Sequence, residues 1–119
     1  MRKFNFSYDK ENDDLFLFIS KSKSRGSVEL GDMVLDFNNK KELVGLQIMN
    51  ASKLFKDILS DNINGIRSVL KNLKECKIDA KLKRNIMIIK IFLVSEKREI
   101  APVMQVPTIS RSSPSLAYA

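Results

Sequence analysis

The chain has 119 residues, of which 44% are hydrophobic and 29% charged, with one cysteine, no histidine and a formal net charge of +7. That balance suits one folded domain able to bury a core of its own, and without histidine neither Ser-His-Asp nor Cys-His catalysis nor conventional zinc ligation is open to it. The lone Cys76 can form no disulfide within the chain, and no window approaches the ~18 uninterrupted apolar residues of a membrane helix, so a reducing, cytoplasmic setting is expected.

Met1-Arg2-Lys3-Phe4 runs directly into strand pattern, with no signal-peptide core. Phe4, Phe6 and Tyr8 alternate with polar neighbours, the signature of a half-buried strand. Asp9 to Asp14 is a polar turn, and the apolar run Leu15 to Ile19 predicts a short central strand covered on both faces. Ser20 to Gly26 is a basic, Ser-rich connector. Ser27 to Leu30 and Met33 to Phe37 follow as strands around a Gly31-Asp32 turn, with Met33, Leu35 and Phe37 sharing a face. Asn38-Asn39 supplies residues that tolerate positive φ, and Leu43 to Met49 makes a fifth strand in which Gly45 marks a bulge or a close approach.

Asn50 stands where a helix N-cap belongs, its side chain able to accept from free N–H groups of the first turn. Leu54, Phe55, Ile58 and Leu59 follow at helical spacing. Asp61 or Asn62 can cap a second helix with the stripe Ile63, Ile66, Val69, Leu70 and Leu73. Cys76, Ile78, Ala80 and Leu82 then alternate with Lys77, Asp79, Lys81 and Lys83, a strand with one wet face. A Lys83-Arg84-Asn85 turn leads to a long apolar strand ending at Val94, and Glu99 to Val106 returns as an edge strand, where Pro102 is tolerated. The fold class is therefore α+β: an antiparallel meander of about five strands, two helices, then about three more antiparallel strands. Residues 1–107 read as one domain, divided into a meander plus helix (1–59) and a helix with a basic three-stranded portion (60–107), and 108–119 as a flexible tail.

Two stretches, Tyr8 to Ile19 and Gly31 to Ser52, resemble the YuzE-like family of small uncharacterised prokaryotic proteins. The resemblance rests on Tyr8-Asp9, on Asp13-Asp14-Leu15-Phe16, and above all on Val44-Gly45-Leu46 and Asn50-Ala51-Ser52. Gln47 stands where the family usually has an acid, and Asn38-Asn39-Lys40-Lys41 replaces its glycine-containing turn. The resemblance implies a meander followed by a helix and no defined activity. Some relatives resemble the antitoxin half of small two-gene modules, which implies a protein-binding role.

Four acids, Asp9, Asp13, Asp14 and Asp36, are of the kind that hold a divalent cation or share a proton, but turns use Asp for its bonds to nearby N–H groups, and all but Asp36 lie in a turn. Cys76, among apolar neighbours on its strand, reads as a small buried hydrophobe. No catalytic, metal or cofactor site is assigned. Charge is uneven: residues 1–62 hold ten Lys/Arg against ten Asp/Glu, residues 63–119 eleven against four. The set Lys74, Lys77, Lys81, Lys83, Arg84 and Lys90, with Lys71, is either a solvated face or a surface for the phosphate backbone of nucleic acid without sequence readout. Two functional readings remain: a non-enzymatic interaction module that self-associates or binds a protein partner, with the apolar strand from Ile86 to Val94 as a candidate interface, and a basic nucleic-acid-associated protein.

Overall fold

A computed structural model of the protein describes residues 1–107, and the tail expected at 108–119 lies outside the described residues. Five strands open the chain: β1 (Arg2–Asp9), β2 (Asp14–Phe18), β3 (Gly26–Leu30), β4 (Met33–Phe37) and β5 (Leu43–Ile48). Helices α1 (Ala51–Leu59) and α2 (Ile63–Lys71) follow, then β6 (Leu73–Lys83), β7 (Ile86–Ser95), β8 (Glu99–Ile100) and β9 (Val103–Pro107). Every paired neighbour is antiparallel, in the order β3-β4-β5-β2-β1-β6-β7-β8, with β9 also on β7. The α+β layout expected from the alternation is therefore present.

The connection after β2 carries the chain to the far edge, and β3, β4 and β5 return by hairpins until β5 lies beside β2. That is a Greek-key path. β1 joins the two halves of the sheet. Its residues Asn5 to Asp9 pair with β2, and Arg2 to Phe4 pair with Ile78 to Cys76 of β6.

Alternation places one set of side chains inward. Leu15, Leu17, Leu35, Leu46 and Ile48 come from the first half, and Cys76, Ile78, Met87, Ile89, Ile91 and Leu93 from the second. Phe55 of α1 and Ile66, Val69 and Leu70 of α2 join them in a single buried cluster. Each such large aliphatic or aromatic burial contributes about 1.5–3 kcal/mol.

Several local expectations change. The run Leu15 to Ile19 is covered on one face only: Leu15 and Leu17 are fully buried, but Phe16 is 40% exposed. Leu73 opens β6 instead of closing the stripe of α2, because the helix ends at Lys71 and the Asn72 N–H bonds back to Val69. Positive φ in the β4–β5 turn falls on Lys41, while Asn38 organises that turn through its side-chain oxygen, which accepts from the N–H groups of Lys40 and Glu42 at 2.9 Å each. The strand expected from Glu99 to Val106 breaks at Ala101-Pro102. There the Pro102 carbonyl accepts from Ile91 N–H at 3.0 Å.

Candidate functional site

Asp9 and Asp13 of the first turn are used structurally, and Asp13 most of all. Asn50 adopts a left-handed conformation (φ 54°, ψ 45°) and makes no side-chain cap bond, contrary to the N-cap role expected of it. Asp13 caps α1 instead, from 39 residues away. Its carbonyl accepts from Ala51 N–H at 2.9 Å, and its carboxylate accepts from Ser52 N–H at 3.1 Å and from the Ser52 hydroxyl at 2.7 Å. A carboxylate at a helix N-terminus satisfies free donors and meets the positive end of the helix dipole.

The Tyr8 hydroxyl donates to the same carboxylate at 2.5 Å, and Arg67 Nε of α2 donates to the Ser52 hydroxyl at 3.4 Å. Burial first, and the Asp13 carboxylate second, push the Tyr8 phenol well above its ordinary value. Tyr8, Asp13, Asn50-Ala51-Ser52 and α2 thus form one bonded cluster. The second helix cap follows the sequence: Asn62 Oδ1 accepts from Asn64 N–H at 2.7 Å and Gly65 N–H at 3.4 Å.

Asp9 accepts from the Asn12 side chain at 2.7 Å and from the N–H groups of Asn12 and Glu11, bonds that hold its carboxyl below the ordinary value. Asp36 accepts from the Ser27 hydroxyl at 2.5 Å and lies over Gly45, where an added Cβ would meet its Oδ2 at 2.9 Å. Gly45 is therefore the close approach that its place in a strand suggested. Among the described residues no three acid or thiol side chains are grouped to hold a metal ion. Cys76 is fully buried, and burial pushes its thiol up to about 12.

The basic residues divide. Lys77, Lys81 and Lys83 share the outer face of β6 with Glu75 and Asp79, and Lys90 is on the same face of β7, opposite Asp79. Glu75 lies 3.8 Å from both Lys3 and Lys77, and Asp79 lies 3.9 Å from Lys81, so the face alternates in sign. Lys90 Nζ sits 5.0 Å from the Phe92 ring centroid. Lys74 lies at the register shift between Leu73 and Glu75 and pairs with Glu96 at 3.6 Å. Arg84 occupies the β6–β7 turn at φ 53°.

Neither the charge count nor the apolar run revealed how the outer face is composed. Ile86, Ile88, Phe92 and Val94 line it along β7 beside Val103 of β9, with Ile86 43% and Val103 45% exposed. On the first half the rings of Phe16 and Phe18 stack at 5.0 Å on the same side. The signal available in the sequence was the spacing Phe16-x-Phe18, which puts both rings on one face of a strand.

Among the described residues no helix is long and apolar enough to cross a membrane. Residues 5–52 match the family described as protein of unknown function (DUF2283). An uncharacterized protein of Methanocaldococcus jannaschii, MJ0789, is 34% identical over 100 residues, spanning 82% of this chain and 80% of that one. A Methanosarcina mazei protein carrying the provisional name hypoxanthine phosphoribosyltransferase is 29% identical over 62 residues, 52% of this chain and 50% of its own. No solved structure matches. The likeness to the M. jannaschii protein runs through both halves of the sheet and both helices, and the chain belongs to that family of small uncharacterised proteins, with the DUF2283 region as its N-terminal part.

Proposed function

We propose that the protein is a non-enzymatic interaction module that self-associates through the outer face of the C-terminal half of its sheet. The supporting observation is the stripe Ile86, Ile88, Phe92 and Val94 with Val103, on a face that alternation turns away from the buried cluster. Apolar side chains gathered on one open face mark interaction surfaces. The charges beside the stripe carry both signs, Lys3, Lys77, Lys81 and Lys90 with Glu75 and Asp79, and a mixed surface can pair with a copy of itself. A mixed sample of isotope-labelled and unlabelled chains tests this: contacts between the Ile88 methyls or Phe92 ring of one copy and protons of another support it, and contacts confined elsewhere refute it.

A second reading keeps the same face for the phosphate backbone of nucleic acid, through Lys77, Lys81, Lys83 and Lys90 with Lys74 and Arg84 at its margins. Its specific support is aromatic: Phe16, Phe18 and Phe92 share that face with Lys3 and Lys90. The interleaved acids favour the first reading. Titration of single-stranded and duplex DNA and RNA separates the two, since backbone binding weakens steeply with added salt and self-association buried in apolar contact does not.

The motif positions Tyr8-Asp9, Asp13-Asp14 and Asn50-Ala51-Ser52 support the finer assignment of the family as YuzE-like. A cytoplasmic location is part of the proposal, supported by a single cysteine held as a buried thiol. The phosphoribosyltransferase name of the M. mazei relative is not carried over, since only half of each chain is shared.

A further inference from the structure

We propose a second docking site, away from the outer face: the cleft between β1 and the α2–β6 junction takes up an extended acidic segment of a partner protein as an added strand. The proposal rests on the reading of the chain as an interaction module. The cleft has a volume of about 500 Å3 and is lined by Phe6, Tyr8, Lys10, Leu70, Lys71 and Leu73, among others.

Main-chain direction carries the argument. Ile19 N–H donates to the Val44 carbonyl at 3.0 Å, in register with the pairs Leu15–Ile48 and Leu17–Leu46. In an antiparallel ladder a residue sends both N–H and C=O to one side, and successive residues alternate. Odd-numbered residues of β2 therefore face β5, and Asp14, Phe16 and Phe18 face β1. Their partners Asp9, Ser7 and Asn5 bond back to them. Phe4, Phe6 and Tyr8 consequently turn their main-chain groups toward β6.

Phe4 meets Cys76 there, and the same register would set Phe6 against Lys74. The pairing of β1 with β6 stops at Phe4–Cys76, near where β6 shifts register against β7 between Leu73 and Glu75 and just after the chain leaves α2. Among the described residues β1 has no strand partner beyond Phe4 on that side, which leaves its edge at Phe6 and Tyr8 outside the ladder. Unpaired strand groups are a template for another strand. These ones line a cleft in the middle of the sheet, where an aligned backbone is held rigidly from behind by β2.

The chemistry of the walls selects the occupant. Phe6 and Leu73, each partly exposed, offer apolar contact to an inward side chain, and Lys10 and Lys71 offer positive charge at the rim. Asp9 and Asp13, on the turn that carries Lys10, are already occupied by the bonds of that turn and of the α1 cap. An alternating acidic and apolar extended peptide fits all three features.

The test uses the labelled full chain and the peptide acetyl-Glu-Val-Glu-Val-Glu-amide, with a second peptide N-methylated at alternate residues so that it cannot donate along one edge. At a peptide concentration ~10 times Kd, amide exchange at Phe6 and Tyr8 slows about tenfold. The N-methylated peptide gives no slowing, and the Lys10→Glu/Lys71→Glu variant binds about three- to tenfold more weakly. Unchanged exchange at Phe6 and Tyr8 up to solubility-limited peptide overturns the proposal, as does protection confined to the β3 edge or to the outer face. Light scattering on the same samples reads self-association separately: loss of peptide binding with dimer intact refutes only the cleft, and peptide binding by a monomer refutes only the self-association reading.

Discussion

The carboxylate of Asp13 receives both the N–H and the hydroxyl of Ser52, bonds that tie the β1–β2 turn to the first turn of α1 across 39 residues. Removing the Asp13 carboxylate leaves the Tyr8 hydroxyl, the Ser52 N–H and the Ser52 hydroxyl without their partner, while the main-chain bond to Ala51 N–H remains. Asp13→Ala is expected to cost about 2–3 kcal/mol and Ser52→Ala about 1 kcal/mol in urea unfolding. Asn50→Gly is expected to be neutral or slightly stabilising, because its left-handed backbone suits glycine and its side chain caps nothing. A large loss for Asn50→Gly with little for Asp13→Ala would return the cap to Asn50.

Gly45 and Asp36 sit directly opposite one another on β5 and β4, with room for no further atom between them. Gly45→Ala is expected to cost about 1–3 kcal/mol through this crowding. Combined with Asp36→Ala it should cost less than the sum of the two single changes, because the carboxylate no longer clashes while the remaining Cβ still crowds. Strict additivity in a denaturant double-mutant cycle would show that the two sites do not touch.

Cys76 makes a pH prediction. Its folded thiol titrates at about 12 against an ordinary 9.0, so the folded state holds the proton where the unfolded state has released it. The stabilisation tied to the neutral thiol is complete below pH 9.0 and is lost as pH rises toward 12. Over that window the stability difference between the native chain and Cys76→Ala should shrink by about 1.4 kcal/mol per pH unit. The native chain should also resist thiol alkylation until unfolded. A flat difference across that window, or rapid labelling of folded protein, would contradict the buried thiol.

How much was legible follows from which interactions are local. Alternation in Phe4-x-Phe6-x-Tyr8 and in Cys76-x-Ile78 named strands correctly because a strand's two faces are written at period two. Asn62 capped as expected because its bonds reach only to Asn64 and Gly65. Local pattern makes Asp13 a turn residue and Asn50 a cap, since nothing in a linear pattern announces a bond between residues 39 positions apart. Phe16 looked buried because a continuous apolar run does not say which face another layer covers. The cleft beside Phe6 was invisible for a similar reason: it depends on where β6 slips register at Lys74, a property of two strands together.

The most direct test of self-association is sedimentation equilibrium of the full chain and of Ile88→Glu. Ile88 lies on the outer face of β7, with Lys81 on one neighbouring strand and Gln105 on the other, so a glutamate there meets no like charge across the strands. The native chain is expected to form a concentration-dependent dimer. Ile88→Glu is expected to dissociate it at least about tenfold more readily, with folding stability changed by no more than about 0.5 kcal/mol. A native chain that stays monomeric at ~1 mM, far above the range of specific protein complexes, or a dimer indifferent to Ile88→Glu, would contradict the proposed interface.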